Sequence, residues 1–345
     1  MSSQDSIVLE FFFYQRKHLS MRRNAKDKVP RLNFPNLYVG ADGGGTKTQV
    51  VLTNEAREIV GEGYAGASNP LRVGVEVAVG NIIKAIDNAC DAGNCSRDDI
   101  VSATLGLAGV RRADTRQIVL ESFVKRLPMD KVKVMTDAEI ALYGTTLCEF
   151  GLVVIAGTGS ICIGQDENGK KAIAGGWGPL AGDEGGGAGI AKRALQAIAK
   201  ASDGRAHPTL LSHVAKKYFR TAKTKDLIIA IYSPQTDNAK IAGFARDVVE
   251  TAKEGDEIAL EILNDAGYEL GLSASAVIKK LNLQEKKVPI GCVGSIFKAG
   301  ELLTCSMLKT VRQIAPKAYL TAPQLFPAEA AARLAFQNSN NGSKY

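Results

Sequence analysis

Apolar residues crowd Leu37-Tyr38-Val39-Gly40-Ala41 and alternate with polar ones from Lys47 to Leu52, with Asp42-Gly43-Gly44-Gly45-Thr46 between them. That pattern predicts two strands joined by a glycine turn. The same pattern recurs at Gly151-Leu152-Val153-Val154 and Ile161 to Gln165, around Ile155-Ala156-Gly157-Thr158-Gly159-Ser160. After the first hairpin a third strand is expected around Glu58 to Gly63. Helical spacing of Val75, Val79, Ile82, Ile83, Ile86 and Ala89 then predicts a helix from Val75 to Ala92. A strand Ile100 to Leu107, a helix from about Asp114 to Lys125, a strand Val132 to Met135 and a helix opening near Asp137 complete the order βββαβαβα. The order restarts with strands Leu152 to Ala156, Ser160 to Gln165 and Lys171 to Ala174, followed by a helix from about Gly186 to Lys200. Residues 205 to 290 read as mainly helical, with Ile241 to Glu254 and Glu257 to Lys280 amphipathic. A strand Val288 to Val293 runs into Gly294-Ser295, and a short strand near Tyr319 precedes a last helix, Ala328 to Gln337. The class is α/β, and a duplicated domain is the inference, because the two glycine turns stand about one small domain apart.

Both turns expose backbone N–H groups and hydroxyls at a hairpin tip, a geometry that suits phosphate oxygens. Two common nucleotide sites are excluded. A Walker A loop needs Lys directly after its last Gly, and Thr46 intervenes before Lys47; the dinucleotide fingerprint needs a following helix, and a strand follows here. Asp42, ending the first strand, is placed to hold Mg²⁺ through water, since that ion keeps several waters and takes few carboxylates. A turn-capping carboxylate is the competing reading.

The 345 residues, 45% apolar and 23% charged, suffice for two cores. The net charge of +7 is concentrated at the front: residues 1 to 36 hold seven Lys/Arg against three Asp/Glu. The body's modest excess and single Trp give no footprint for nucleic acid. The apolar run Ile7 to Tyr14 is interrupted by Glu10 and far below the roughly 20 residues of a bilayer span. It also lacks the flanks of a secretory signal. Residues 1 to 36 are therefore expected to be a disordered tail, with Met21 inside it an alternative start and a short membrane-surface anchor the competing reading. The six cysteines, at 90, 95, 148, 162, 292 and 305, include no CxxC pair and point to buried thiols in a reducing compartment, the cytoplasm. His207 and His213 are too sparse to assemble a metal site.

In order along residues 37 to 338 stand Asp42-Gly43-Gly44-Gly45-Thr46, Ser68-Asn69-Pro70, Thr136-Asp137-Ala138, Gly157-Thr158-Gly159-Ser160, Gly175-Gly176-Trp177-Gly178, Gly182-Asp183-Glu184-Gly185 and Val293-Gly294-Ser295. In these the chain resembles the sugar kinase, heat-shock ATPase and actin superfamily, and within it the N-acetylglucosamine kinase and BadF/BadG/BcrA/BcrD ATPase branch. The resemblance implies two ribonuclease H-like (actin-like ATPase) domains, each a mixed βββαβα sheet, with an interdomain cleft. It implies lobes of residues 37 to 147 plus 328 to 338, and of 148 to 327; the polar composition of residues 339 to 345 predicts a disordered tail. The resemblance also implies ATP and Mg²⁺ as cofactors, a small-molecule sugar as partner, no nucleic acid and no membrane; a homodimer is left open.

The implied roles can be tested against chemistry. A sugar hydroxyl is a poor nucleophile, so γ-phosphoryl transfer calls for a carboxylate to orient it and accept its proton. Asp137, after a strand and before a helix, is the candidate base, with helix N-capping the competing role. Gly43, Gly44, Gly45, Thr46, Lys47, Gly157, Thr158 and Gly159 would meet phosphates, and Gly294 and Ser295 the nucleoside. Asn69, Asp137, Ser160, Gly176, Trp177, Gly178 and Asp183 would line the sugar, although Asn69 also suits a plain Asn-Pro turn and Glu184 a helix dipole.

Three positions depart from the N-acetylglucosamine kinases: Leu71 replaces an aromatic, Ile161 an Asn and Pro179 a His. Those changes leave the phosphate residues intact and open the substrate to glucosamine, muramic-type sugars or another hexose. The expected activity is an ATP-dependent hexosamine kinase. A BadF/BadG-type activator ATPase serving an iron–sulfur electron-transfer partner is the chief alternative, and a chaperone-like or filament-forming ATPase a third.

Overall fold

A computed structural model of the chain describes residues 36–147 and 149–340. The expected N-terminal tail up to residue 35, with its apolar run and Met21, lies outside the described residues, as do Cys148 and residues 341–345. The chain divides into two compact units, whose described residues are 36–147 with 324–340, and 149–323.

The first unit holds β1 (Leu37–Gly43), β2 (Thr48–Thr53), β3 (Ile59–Ala65), β4 (Ile100–Leu107) and β5 (Val132–Thr136) in the sheet order β3-β2-β1-β4-β5. β1 pairs antiparallel with β2 and parallel with β4, and β4 pairs parallel with β5. Side chains alternate across the sheet. Leu37, Val39 and Ala41 point into a core shared with Val79, Ile82 and Ile86 of the helix Val75–Gly93. Tyr38 lies on the opposite face, edge-on to Phe336 at 5.0 Å between ring centroids. Fully burying a side chain such as Ile82 or Phe123 contributes about 1.5–3 kcal/mol. Ala328, Ala331, Ala332 and Ala335 are buried along one face of the final helix, small enough to let its backbone approach the sheet closely.

The second unit repeats the plan with β6 (Gly151–Ala156), β7 (Ser160–Gln165), β8 (Lys171–Gly175), β9 (Pro289–Val293) and β10 (Tyr319–Thr321). Its order is β10-β9-β6-β7-β8, with β7 antiparallel and β9 parallel to β6. Each unit is thus a mixed five-stranded sheet with the same sequence of antiparallel and parallel neighbours, the α/β class expected.

Several expected bounds are corrected. Ile241 to Glu254 is two helices, Asn238–Gly243 and Ala245–Lys253, meeting at Phe244, whose N–H donates to Ile241 O at 3.1 Å in a tightened turn and whose ring packs on Tyr218 and Phe219. The final helix runs from Pro327 to Asn340, so Ser339 and Asn340 are helical rather than tail. Lys131 Nζ donates to Ser339 O at 2.6 Å and fixes that end. Gln324 to Pro327 join the first unit rather than the second; the N–H groups of Gln324 and Leu325 both donate to Gly144 O, at 2.8 and 3.0 Å.

Among the described residues no helix is long and apolar enough to cross a membrane.

Candidate active site

In the first unit the parallel strands end together, where an open α/β sheet presents functional groups. Asp42 pairs with Gly106 on β4, and Leu107 pairs with Thr136 on β5, the residue before Asp137. Asp42 and Asp137 therefore stand about two strand spacings apart, roughly 10 Å along the sheet edge. Both are partly buried. Burial first and the Asp137 charge second push the Asp42 carboxyl up from 3.8 to about 6, against the opposing pull of Lys47. Burial also holds Asp137 above its ordinary range, opposed by the N–H of Ala138, which donates to Asp137 Oδ1 at 2.9 Å.

The competing role for Asp137 is filled by its neighbour. Thr136 is the N-cap of the helix Asp137–Thr146: its hydroxyl accepts from Glu139 N at 3.1 Å, and its own N–H donates to Glu139 Oε2 at 2.9 Å. Asp137, one residue into the helix, keeps its carboxylate out of that capping box.

The first glycine turn is braced from the Ser68-Asn69 loop. Gly44 N donates to Lys47 O at 2.9 Å, closing the turn, and Gly44 O accepts from Ser68 N and Asn69 N at 3.0 and 3.2 Å. Thr48, buried, donates its hydroxyl to Gly66 O at 2.6 Å and is hydrogen-bonded to the Ser68 hydroxyl at 2.8 Å. Thr46 and Lys47 are exposed at the tip. Gly43, Gly44 and Gly45 are thereby assembled with Asn69 in one unit. Asn69 Oδ1 accepts from Leu71 N at 3.0 Å as the cap of a short helix, the turn role its Asn-Pro pair suggested.

The second unit places the remaining candidates at the matching end of its sheet. Ile155 of β6 pairs with Val293 of β9, so the turn Gly157 to Ser160 and the segment Gly294-Ser295 are neighbours. Gly294 has φ +118, and a β-carbon there would lie 2.2 Å from Ala156 O, so only glycine fits. The N-terminus of the helix Gly187–Ser202 supports the turn: Gly187 N donates to Gly157 O and Ala188 N to Thr158 O, at 2.8 and 2.9 Å. Thr158 is exposed. Trp177 is exposed on a loop where Gly175, Gly176 and Gly178 all take positive φ, and Gly176 N donates to Ser160 O at 2.9 Å.

Asp183 is buried, takes φ +61, and accepts from Ser160 N at 3.1 Å. Burial raises its carboxyl above the ordinary range, the Ser160 N–H opposes the rise, and the Glu184 charge adds to it. Its contact is with Ser160 of the second glycine turn, which the sequence assigns to the sugar together with Asp183. Glu184 is exposed.

The ordered motifs and the doubled sheet place the chain in a known group. The chain belongs to the BadF/BadG/BcrA/BcrD ATPase family, whose model matches residues 39–335. The family member is 33% identical over 260 residues to an N-acetylmuramic acid/N-acetylglucosamine kinase of Clostridium acetobutylicum, covering 75% of this chain and 85% of that one. It is 31% identical over 314 residues to an N-acetyl-D-glucosamine kinase of Dictyostelium discoideum, covering 88% and 98%. A crystal structure from Chromobacterium violaceum with a provisional N-acetylglucosamine kinase assignment superposes with a TM-score of 0.71 at 25% identity, covering 87% of this chain and 98% of that chain.

Thr48, Thr136 and Glu139 were not among the sequence-read candidates. Thr136-x-x-Glu139 is itself the capping-box signature and was legible; the role of Thr48 depends on a loop 20 residues away.

Proposed function

We propose that this chain is an ATP- and Mg²⁺-dependent amino-sugar kinase, transferring the γ-phosphoryl of ATP to a hydroxyl of an N-acetylglucosamine-type sugar. The observation that carries the reading is Asp137: a partly buried carboxylate at the carboxyl end of a parallel sheet, outside the capping box that Thr136 and Glu139 close. In that role it orients the acceptor hydroxyl and takes its proton. The names of the two relatives support the substrate class.

The residues around Asp42 fit Mg²⁺. Among the described residues no three His, Cys, Asp or Glu side chains form a protein cage, and a water-rich dication needs only one or two carboxylates beside phosphate oxygens. Asp42 would hold it, with Asp137 as the second nearby carboxylate. Bound there, the ion would neutralise phosphate charge. In the first unit the turn around Gly44 would offer N–H groups to phosphates and Asn69 a contact to the sugar; in the second, the turn around Thr158 would offer N–H groups and a hydroxyl to phosphates, Gly294 and Ser295 a face for the nucleoside, and Ser160 with the loop Gly176 to Gly178 contacts to the sugar. The cytoplasm and a single-chain or dimeric state are both compatible with this chemistry.

The described cysteines do not favour the activator reading. Cys90, Cys95 and Cys162 are buried and Cys292 is half-buried, so among the described residues Cys305 alone offers an exposed thiol, whereas a cluster shared at an interface needs several thiolates.

The test is ADP release from ATP and Mg²⁺ with N-acetylglucosamine, glucosamine, N-acetylmannosamine, N-acetylmuramic acid and glucose, beside a sugar-free control. Stimulation by an amino sugar is expected. Hydrolysis that no sugar changes would overturn the reading.

A further inference from the structure

Arg116 lies in the first turn of the helix Ala113–Arg126, and its guanidinium is tied to two other segments of the first unit. Nε donates to Val110 O at 2.8 Å, and Nη2 lies 3.2 Å from Glu139 Oε2. Both partners are sheltered: Val110 is fully buried, and the Glu139 side chain is 15% exposed.

Each tie leads to a proposed substrate residue. On one side, the same Glu139 oxygen accepts from Thr136 N and Thr136 Oγ1, at 2.9 and 3.0 Å, so Arg116 is anchored to the turn that presents Asp137. On the other, Val110 lies midway along the loop 108–112, whose Ala108 N donates to Gly43 O at 2.8 Å. Gly109, at φ +82, sits so close to Asn69 that a β-carbon there would lie 2.2 Å from Asn69 Oδ1. One planar cation thus connects the base-bearing turn to the loop that abuts both the first glycine turn and Asn69.

We infer that Arg116 is a positioning residue, setting the Asp137 turn in register with the 108–110 loop and so the base relative to the acceptor hydroxyl. This rests on the reading of Asp137 as base. The fork geometry matters: two donors in a fixed plane address two segments at once, which the point charge of lysine cannot reproduce. Misplacing a reacting group by about 1 Å costs roughly 100-fold in rate, so modest slackness at this tie reaches the chemistry.

The test compares Arg116→Met, Arg116→Lys, Glu139→Gln and the double variant R116M/E139Q by steady-state kinetics with the stimulating sugar, and by amide hydrogen exchange of the protein without ligands. Arg116→Met is expected to lower kcat about 10- to 100-fold with KM for ATP within about twofold, and to raise exchange at 108–110 and 136–139 but not in β1 or β2. Arg116→Lys is expected to fall between, and the double variant to lose no more than the worse single one, because both remove the same tie. Unchanged kcat in Arg116→Met overturns the inference. So does a loss accompanied by raised exchange throughout the unit, and if Arg116→Met does not fold, unchanged kcat in Arg116→Lys and Glu139→Gln overturns it equally. Should no sugar stimulate the parent chain, the kinase reading fails by itself, and exchange decides the coupling: no joint rise at the two segments overturns it.

Discussion

The backbone N–H of Ser160 donates to the Asp183 carboxylate at 3.1 Å, joining the second glycine turn to the loop 23 residues further along the chain. Asp183 is 7% exposed and Ser160 half-buried, and removing the acceptor leaves the Ser160 N–H without this partner. Asp183→Ala is therefore expected to lose roughly 1–3 kcal/mol, whereas Asp183→Asn keeps both an acceptor and a residue tolerant of the left-handed backbone at φ +61. Urea midpoints of the two variants check this. Equal loss in both would show that the charge of Asp183, rather than its contact with Ser160, is what the fold uses.

Asp42 supplies a prediction with a definite sign. Its carboxyl sits at about 6 in the folded chain against an ordinary 3.8, so the folded state holds the proton more tightly than the unfolded state does. Ionising Asp42 therefore destabilises the fold: the penalty is nearly absent below 3.8, grows from there to about 6, and is fully present above that. A difference of roughly two pH units is worth up to about 3 kcal/mol. Asp42→Asn is expected to be more stable than the parent at pH 8, with most of that advantage gone by pH 4, and to lose Mg²⁺-dependent turnover. Coincident denaturation curves at pH 8 would refute the shift.

Much of this architecture was legible because it is written in local pattern. The hairpins around Gly43 and Gly157 and the long helix Glu257–Lys280 follow from alternation, glycine and helical spacing. What escaped depends on contacts remote in sequence. Phe244, at the junction of two helices, packs on Tyr218 and Phe219, more than 20 residues back along the chain. The end of the final helix is fixed by Lys131, 208 residues away. Asp183 carries a hydrogen bond to Ser160 that no spacing rule announces, and Arg116 joins two loops whose proximity exists only once β4 and β5 are paired.

Gly294 separates backbone strain from steric conflict. A β-carbon at Gly294 meets Ala156 O, whereas one at Gly204, also at positive φ, meets nothing within 4 Å. Gly204→Ala should cost only the strain of a left-handed residue, about 1 kcal/mol. Gly294→Ala should cost clearly more, at least about 1–3 kcal/mol, and should weaken ATP binding because the end of β6 and the Thr158 turn must shift. Calorimetric titration of ATP into both variants, alongside their urea midpoints, checks the pair. Similar losses in both would mean that the close approach to Ala156 relaxes without consequence.

Thr136 and Asp137, adjacent in the chain, are expected to fail in opposite ways. Thr136→Ala removes the N-cap of the helix Asp137–Thr146 and with it the acceptor for Glu139 N, at a cost of about 0.5–2 kcal/mol in stability. Asp137→Asn leaves that capping box whole and replaces a carboxylate that burial already disfavours, so the folded chain should be no less stable than the parent near neutral pH. Its turnover with the stimulating sugar should nevertheless fall by roughly 100- to 10,000-fold, the worth of general-base catalysis, while ATP affinity stays near that of the parent. Thermal or urea denaturation combined with kcat on the same preparations makes the comparison. A stable Asp137→Asn variant with parental kcat would remove Asp137 from the chemistry, and a destabilised one would show that the carboxylate is part of the helix start after all.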